Sequence, residues 1–342
     1  MGETASRPRG GGPATADVEP EGGSRAARLS HLPVTFFATI MGFAGLALAW
    51  LRAAPVLGAP LVVGQALFWV ALTACGLVLL AYLAKVIRHP VAVRIELHHP
   101  VRLAFVPTST IALLLLATAG QDFAPGLAAV LWWFGAVGQL VLTLYVLSAW
   151  ISRPVFGMQH VTPAWFIPVV GMVAVPLAGV TFGPVELSWF FFSAGLVFWA
   201  ALLPMVLTRL FVHEQPVPDQ LLPTLAVLIA PPAVAFLSYL RLAGGGLDTA
   251  SRVLYYTAAF FALLFVTQVG RLRRLPFFLS WWAYAFPLAG LSVATTAMAR
   301  EVGGGFLSAA AWVLLAVISS LVTLLTVRTV AAIARGQICV PE

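Results

Sequence analysis

The chain has 342 residues, 61% of them hydrophobic and 9% charged, with a net charge of +7. A soluble domain carries about one quarter charged residues, so this composition excludes a water-soluble globular protein and points to an integral membrane protein. The apolar stretches run unbroken for about 20 residues, the length a membrane helix needs, and this excludes the alternating ~10-residue pattern of a membrane β-barrel.

Residues 1–30, rich in Gly, Pro, Ala and Arg, hold almost no large apolar side chains. They cannot bury a core and are expected to form a disordered cytoplasmic tail. No apolar run precedes the first span at a position suited to signal cleavage, so that span is expected to be retained. Residues 31–336 read as one all-α transmembrane domain and 337–342 as a short C-terminal tail. The predicted spans are 32–51, 62–86, 102–120, 125–150, 163–180, 185–211, 221–240, 251–270, 278–297 and 307–334. Short links, such as Asp122 to Pro125 and Gly303 to Gly305, join them into five helical hairpins.

Along the chain, span one holds Pro33, Thr35 and Thr39, and span two holds Cys75 and ends at Lys85. The basic linker that follows carries Glu96 and His98–Pro100; adjacent histidines point apart on a helix and lack the i, i+4 spacing of a zinc pair. Span three holds Pro107 and Thr108–Thr110. Span four holds Gln139, expected to bond to a neighbouring helix. Span five holds Pro168 and Pro176, and span six holds Pro204 and ends near Arg209. His213, Glu214 and Asp219 form a solvated loop cluster before span seven, which holds Thr224, Ala230, Pro231 and Pro232. Span nine carries Trp281, Trp282, Tyr284, Phe286 and Pro287, followed by Ala289, Gly290, Ser292 and Val293. The glycine triplets at 10–12, 244–246 and 303–305 have no P-loop lysine beside them, so nucleotide binding is not supported. Cys75 and Cys339 are isolated and make neither a disulfide framework nor a metal site. No cofactor and no metal are expected.

Lys and Arg set the orientation. Of the 19 basic residues, 15 lie in the N-terminal tail, the loops after even spans and the C-terminal end; only Arg52, Arg241, Arg252 and Arg300 lie on the opposite side. Both termini are therefore expected in the cytoplasm, which requires an even number of spans. The same placement accounts for the positive charge without a nucleic-acid partner.

Proline lies inside or at the edge of every odd span, while spans two, eight and ten have none inside and span four has only Pro125 at its first turn; Pro204 in span six breaks the rule. A proline inside a helix removes a backbone hydrogen bond, and in lipid a freed carbonyl needs a partner or a wet cavity. The alternation predicts an inner ring of odd helices around a pore and an outer ring of even ones. The bland alternative is that proline is simply commoner in membrane helices.

Span interiors lack ionisable residues, since Glu186, Asp219, Asp248, Glu301, Arg209 and Lys85 fall near predicted ends. A coupled pump keeps a buried titratable group for its work, so its absence favours a passive path, and the lack of acids disfavours cations. The candidate wall comprises Thr35, Thr39, Pro107, Thr108, Pro168, Ala230, Pro231, Ala289, Gly290 and Val293. Trp282 and Phe286 are four apart, and the stripe continues through Ala289 or Gly290, Val293 and Ala297, from bulky to small. If that face lines a pore, the Phe286 ring plugs it; otherwise Phe286 is ordinary packing.

Five stretches, "HLPVTFFATIMGFAGLALAW", "HHPVRLAFVPTSTIALLLLA", "TPAWFIPVVGMVAVPLAG", "LLPTLAVLIAPPAVAFLSY" and "LPFFLSWWAYAFPLAGLSVAT", occur in order across residues 30–340. On these the chain resembles the tellurite-resistance/C4-dicarboxylate transporter family, which includes the plant guard-cell slow anion channels. The resemblance implies ten helices as five hairpins around a central pore, in a homotrimer with one pore per subunit. It also implies that Phe286, matching a phenylalanine of the family's ninth helix, occludes the pore, with Pro287 bending the helix beside it. The plant members have long phosphorylatable tails, from which the short, serine-poor tail here departs. The expectation is a passive anion channel or channel-like transporter of the cytoplasmic membrane, passing small inorganic or organic anions. The rival is a proton-coupled C4-dicarboxylate carrier or an exporter of tellurite or sulfite. An enzyme would need clustered His, Asp or Glu at one membrane face, and no such set is present.

Overall fold

The computed structural model describes Gly2 and residues 29–212 and 216–338. The expected tail 1–30, with Arg7, Arg9, Arg25 and Arg28, falls almost wholly outside the described residues, as do His213, Glu214 and Cys339. Among the described residues, nine helices are long and apolar enough to cross a membrane. They are α1 (Val34–Leu57), α2 (Leu61–Arg88), α3 (Arg102–Gly120), α4 (Pro125–Ser152), α5 (Pro163–Phe182), α6 (Val185–Val212), α7 (Asp219–Leu242), α8 (Thr249–Leu272) and α10 (Gly305–Ala334). The remaining long segment, α9 (279–302), is a 3-10 stretch Leu279–Tyr284 running into an α-helix Ala285–Val302. Its Ser280, Ser292, Thr295, Thr296, Arg300 and Glu301 lower its hydropathy below that of the other nine. It is long enough to span and is embedded in the protein: 13 of the 18 residues from Ala285 to Val302 are buried.

Each odd helix packs against the even helix that follows it and against its two odd neighbours, and α9 closes back onto α1. The result is a closed inner ring of α1, α3, α5, α7 and α9 inside a shell of even helices. Burial follows the same division. In the most apolar stretch of α1, α3, α5 and α7, 67–89% of residues are buried, against 17–33% in the even helices. The even helices turn large apolar side chains outward, among them Leu80 at 66% and Phe134 at 71% exposure. An apolar exterior of this kind suits contact with lipid.

The proline alternation has a specific structural cause. Every odd helix opens with a 3-10 stretch: Val34–Phe36, Arg102–Phe105, Pro163–Trp165, Asp219–Ile229 and Leu279–Tyr284. No described even helix does so. The α-helical part then starts at or just beyond the end of each stretch, and Pro168, Pro232 and Pro287 are each its third residue. In the first turn of an α-helix the N–H has no ordinary intrahelical partner, so proline is cheap there. The bend expected at Pro287 thus coincides with a change of helix type.

The same change alters the predicted aromatic stripe. A 3-10 turn holds 3.0 residues, so Trp282, inside the 3-10 stretch, does not continue the α-helical face of Phe286. Its ring lies against α1, where a Cβ on Gly42 would come within 2.8 Å of it, and its Nε1–H donates to Thr329 Oγ1 of α10 at 2.9 Å. Within each hairpin the turns are tight; Gly58 (φ 73°) and Gly303 (φ 74°) adopt left-handed backbone that a side chain would strain.

Candidate functional site

At the centre of the inner ring lies a void walled by all five odd helices and by none of the even ones. α1 contributes Gly45 and Leu48, α3 Leu115, α5 Leu177, and α7 Val234 and Leu237. α9 contributes Phe286, Ala289, Gly290 and Val293. Three of the ten wall residues are Gly or Ala, which is why any space remains in so closely packed a ring. Gly45, like Gly42 one turn earlier, lets α1 and α9 approach closely, since a Cβ at Gly45 would lie 2.9 Å from that of Ala289. The void is about 10 Å³. A single water needs about 10–15 Å³ of such space, so a hydrated anion does not fit. Every wall residue is apolar. Phe286 is the bulkiest of them and is 6% exposed.

Of the predicted wall residues, Phe286, Ala289, Gly290 and Val293 line the void. Thr35, Thr39, Pro107, Thr108, Pro168, Ala230 and Pro231 lie nearer the N-terminal ends of the same odd helices. Their hydroxyls are mostly spent locally. Thr39 donates to Phe36 O at 2.7 Å and Thr108 to Phe105 O at 2.6 Å, as Ser109 and Thr224 also do three residues back. The carbonyl of Pro168 turns towards α4, where it accepts from Gln139 Nε2 at 2.8 Å and Thr143 Oγ1 at 3.2 Å. Gln139 Oε1 in turn accepts from Thr110 Oγ1 at 2.6 Å, so this amide ties α3, α4 and α5 together. Ser292 Oγ is buried without a hydrogen-bond partner among the described residues.

The N-terminal face of the ring contains a cluster the sequence reading passed over. Glu96, on the short linker helix Pro90–His98, is 2% exposed, and Lys85 at the end of α2 is 3% exposed. Lys85 Nζ lies 2.8 Å from Glu96 Oε2 and also donates to Leu32 O at 2.7 Å. Tyr82 OH donates to Glu96 Oε2 at 3.0 Å, and the backbone N–H of Val34 donates to Glu96 Oε1 at 2.7 Å. Glu96 therefore satisfies an otherwise unpaired N–H in the first turn of α1. A signal was available, because Glu96 is the only acid between Glu21 and Asp122. Arg209, near the end of α6, is likewise buried and donates to Val161 O.

The opposite face carries Arg52, Arg241 and Arg300, from the C-terminal parts of α1, α7 and α9. Arg52 pairs with Asp122 at 3.3 Å and Arg300 with Glu301 at 2.7 Å. Arg241 donates to Thr181 Oγ1 at 2.9 Å and Gln121 Oε1 at 3.3 Å. Among the described residues, no three His, Cys, Asp or Glu side chains cluster to hold a metal ion.

Residues 31–330 match the voltage-dependent anion channel family. The S-type anion channel SLAH2 of Arabidopsis thaliana is 29% identical over 283 residues, covering 81% of this chain and 54% of the relative. The tellurite resistance protein TehA homolog of Haemophilus influenzae is 29% identical over 274 residues, covering 78% and 81%. An uncharacterized transporter, MJ0762, of Methanocaldococcus jannaschii is 26% identical over 302 residues, covering 81% and 87%. The chain spans about half the length of the plant relatives SLAH2 and SLAH3.

Proposed function

This chain belongs to the voltage-dependent anion channel family, and on that footing we propose that it is a passive anion channel, or channel-like anion transporter, of the cytoplasmic membrane, closed by the ring of Phe286. One observation carries the reading: a void walled by all five odd helices, apolar throughout, with Phe286 in its wall and room for no more than about one water. An apolar constriction of this size blocks ions by sterics and by dewetting, and withdrawing the benzyl group of Phe286, the bulkiest side chain in the wall, would widen it.

The N-terminal ends of all five odd helices share one face of the bundle. Each helix start carries roughly half a positive charge, which favours an anion approaching from that face. The wall offers no titratable group that could couple passage to protons, which supports passive movement over the coupled rival. In this reading α9 is the tenth crossing, both termini are cytoplasmic, and the exposed apolar faces of the even helices meet lipid and two further copies in a homotrimer. Pro287 supports the gate by fixing where the α-helical part of α9 begins.

The test is flux of chloride, nitrate and malate into liposomes holding wild type or Phe286→Ala, with and without a proton gradient. The mutant is expected to pass anions severalfold faster, with no dependence on the gradient. Equal flux from two well-folded proteins would remove the gate. Flux that follows the proton gradient would favour the coupled carrier.

A further inference from the structure

The face of the ring at the C-terminal ends of the odd helices raises an electrostatic difficulty for an anion path. Each of these helices ends there with roughly half a negative charge on its last carbonyls. The positive ends of the even helices stand on the same face but in the outer shell, so an anion on the ring axis meets the five carbonyl ends first and gains from basic groups beside them. The chain places few arginines on this side, only Arg52, Arg241, Arg252 and Arg300. Three of the four stand on the faces that line the void.

Helical register puts them there. On α1, Gly45 and Leu48 line the void and Arg52 follows at i+7 from Gly45. On α7, Val234 and Leu237 line it and Arg241 follows at i+7 from Val234. On α9, Phe286 and Val293 line it and Arg300 follows at i+7 from Val293. Residues seven apart lie about 20° apart around a helix and about 10 Å apart along it. On α5, Thr181 follows Leu177 at i+4. The side chains meet across the ring: Arg241 bonds to Thr181 of α5 and to Gln121 beside the end of α3, and Arg52 pairs with Asp122. Arg52 lies within electrostatic reach of both Arg241 and Arg300.

The acids on this face number as many as its arginines, but none is bonded to Arg241. Asp122 pairs with Arg52, Glu301 with Arg300, and Asp248 with Tyr239 and Ser251 at the start of α8, while Glu186 stands in the first turn of α6; Arg241 is held by two uncharged groups. Arg241 is exposed, and its bonds to Thr181 and Gln121 use Nη2, which leaves further N–H donors of the fork open to solvent.

We propose that Arg52, Arg241 and Arg300 form an anion-capture site at this mouth, two helical turns beyond the void, with Arg241 as the principal ligand. The site takes small monovalent or divalent oxyanions and halides, drawn by charge and by the guanidinium fork, before they shed water to enter the apolar constriction. The proposal rests on reading the void as an anion path.

The test is current through Phe286→Ala at about 10 mM and about 1 M chloride, where the screening length falls from about 30 Å to about 3 Å. The ratio of the two currents does not depend on how much protein inserts. Adding Arg241→Gln, or Arg300→Gln, is expected to lower the low-salt current by about two- to threefold and leave the high-salt current unchanged. Arg241→Lys keeps the charge and is expected to keep most of the low-salt current. An unchanged ratio in both Gln variants overturns the capture site and leaves the path intact. So does a Lys variant that falls as far as the Gln variant, which marks a packing role. If Phe286→Ala carries no anion current, the path reading falls instead. Anomalous density from bromide soaked into crystals of the full chain then decides the site alone: a peak bounded by the three guanidinium groups upholds it, and its absence overturns it.

Discussion

Lys85 and Glu96 form an ion pair at 2.8 Å with both side chains almost fully buried, 4% and 3% exposed, where α2 meets the start of α1. The carboxylate spends its other oxygen on the N–H of Val34, and the ammonium spends a second proton on Leu32 O. The first turn of an inner helix is therefore held by charged groups from an outer helix and a linker.

Removing one partner leaves the other charge buried and unpaired, at a cost of about 3–5 kcal/mol. Lys85→Met and Glu96→Gln are each expected to lower the thermal unfolding midpoint markedly in detergent. The double substitution is expected to recover much of the loss, because the introduced amide still offers an oxygen to Val34 and no orphan charge remains. Additive losses in the double variant would show that the two residues act independently.

The two void glycines respond oppositely to a methyl group. At Gly45 a Cβ would stand 2.9 Å from the Cβ of Ala289, and neither atom can swing aside. Gly45→Ala must push α1 from α9 and is expected to cost about 1–3 kcal/mol. At Gly290 the nearest atoms are Val234 Cγ2 at 3.8 Å and Ala233 Cβ at 3.9 Å, ordinary contact. Gly290→Ala is expected to be neutral or to stabilise by up to about 1 kcal/mol, since alanine is the better helix former, and, placed on Phe286→Ala, to reduce anion flux by narrowing the void. Stability measured on both, with liposome flux on the second, checks the pair; equal destabilisation would contradict it.

Side-chain volume at position 286 sets the flux if the ring is the barrier. Passage is expected to rise along the series wild type, Phe286→Leu, Phe286→Val and Phe286→Ala, with Phe286→Trp as closed as wild type. Leucine disturbs the packing least and guards against a result that reflects misfolding. Flux that ignores volume across the series would locate the barrier elsewhere.

Gln139 bridges three helices, and its amide lies over Gly171, where a methyl group would strike it. Gln139→Leu removes the acceptor of the Thr110 hydroxyl and one of the two donors to Pro168 O; Thr110 keeps Pro107 O and Pro168 O keeps Thr143, so the expected cost is that of the lost bonds alone, about 0.5–1.5 kcal/mol each. Gly171→Ala is expected to destabilise through the clash. Joined to Gln139→Ala, it should cost less than the sum of the two, since the amide it strikes is gone. Strict additivity in that cycle would argue against the contact.

Phe286, Ala289, Gly290 and Val293 were legible because i, i+3, i+4 and i+7 share a face wherever the helix is α. Trp282 was not, because a 3-10 stretch turns faster and redirects its ring to α1 and α10. Thr39, Thr108 and Pro168 carry the right chemistry for a wall. Which way a hydroxyl or carbonyl turns is decided by the nearest competing partner, and for these it is their own helix or Gln139.

The linear order of residues by itself determined the membrane class, the hairpin pattern and the division into inner and outer helices. Each of these follows from local quantities: apolar run length, loop charge and the placement of proline. Only the tertiary structure decided that Glu96 is buried against Lys85, that the void is walled by five helices, and that Arg241 and Arg300 come within electrostatic reach of Arg52. Those are distances between residues up to about 250 positions apart in the chain, and no local propensity encodes them; they arise when α9 closes the ring against α1.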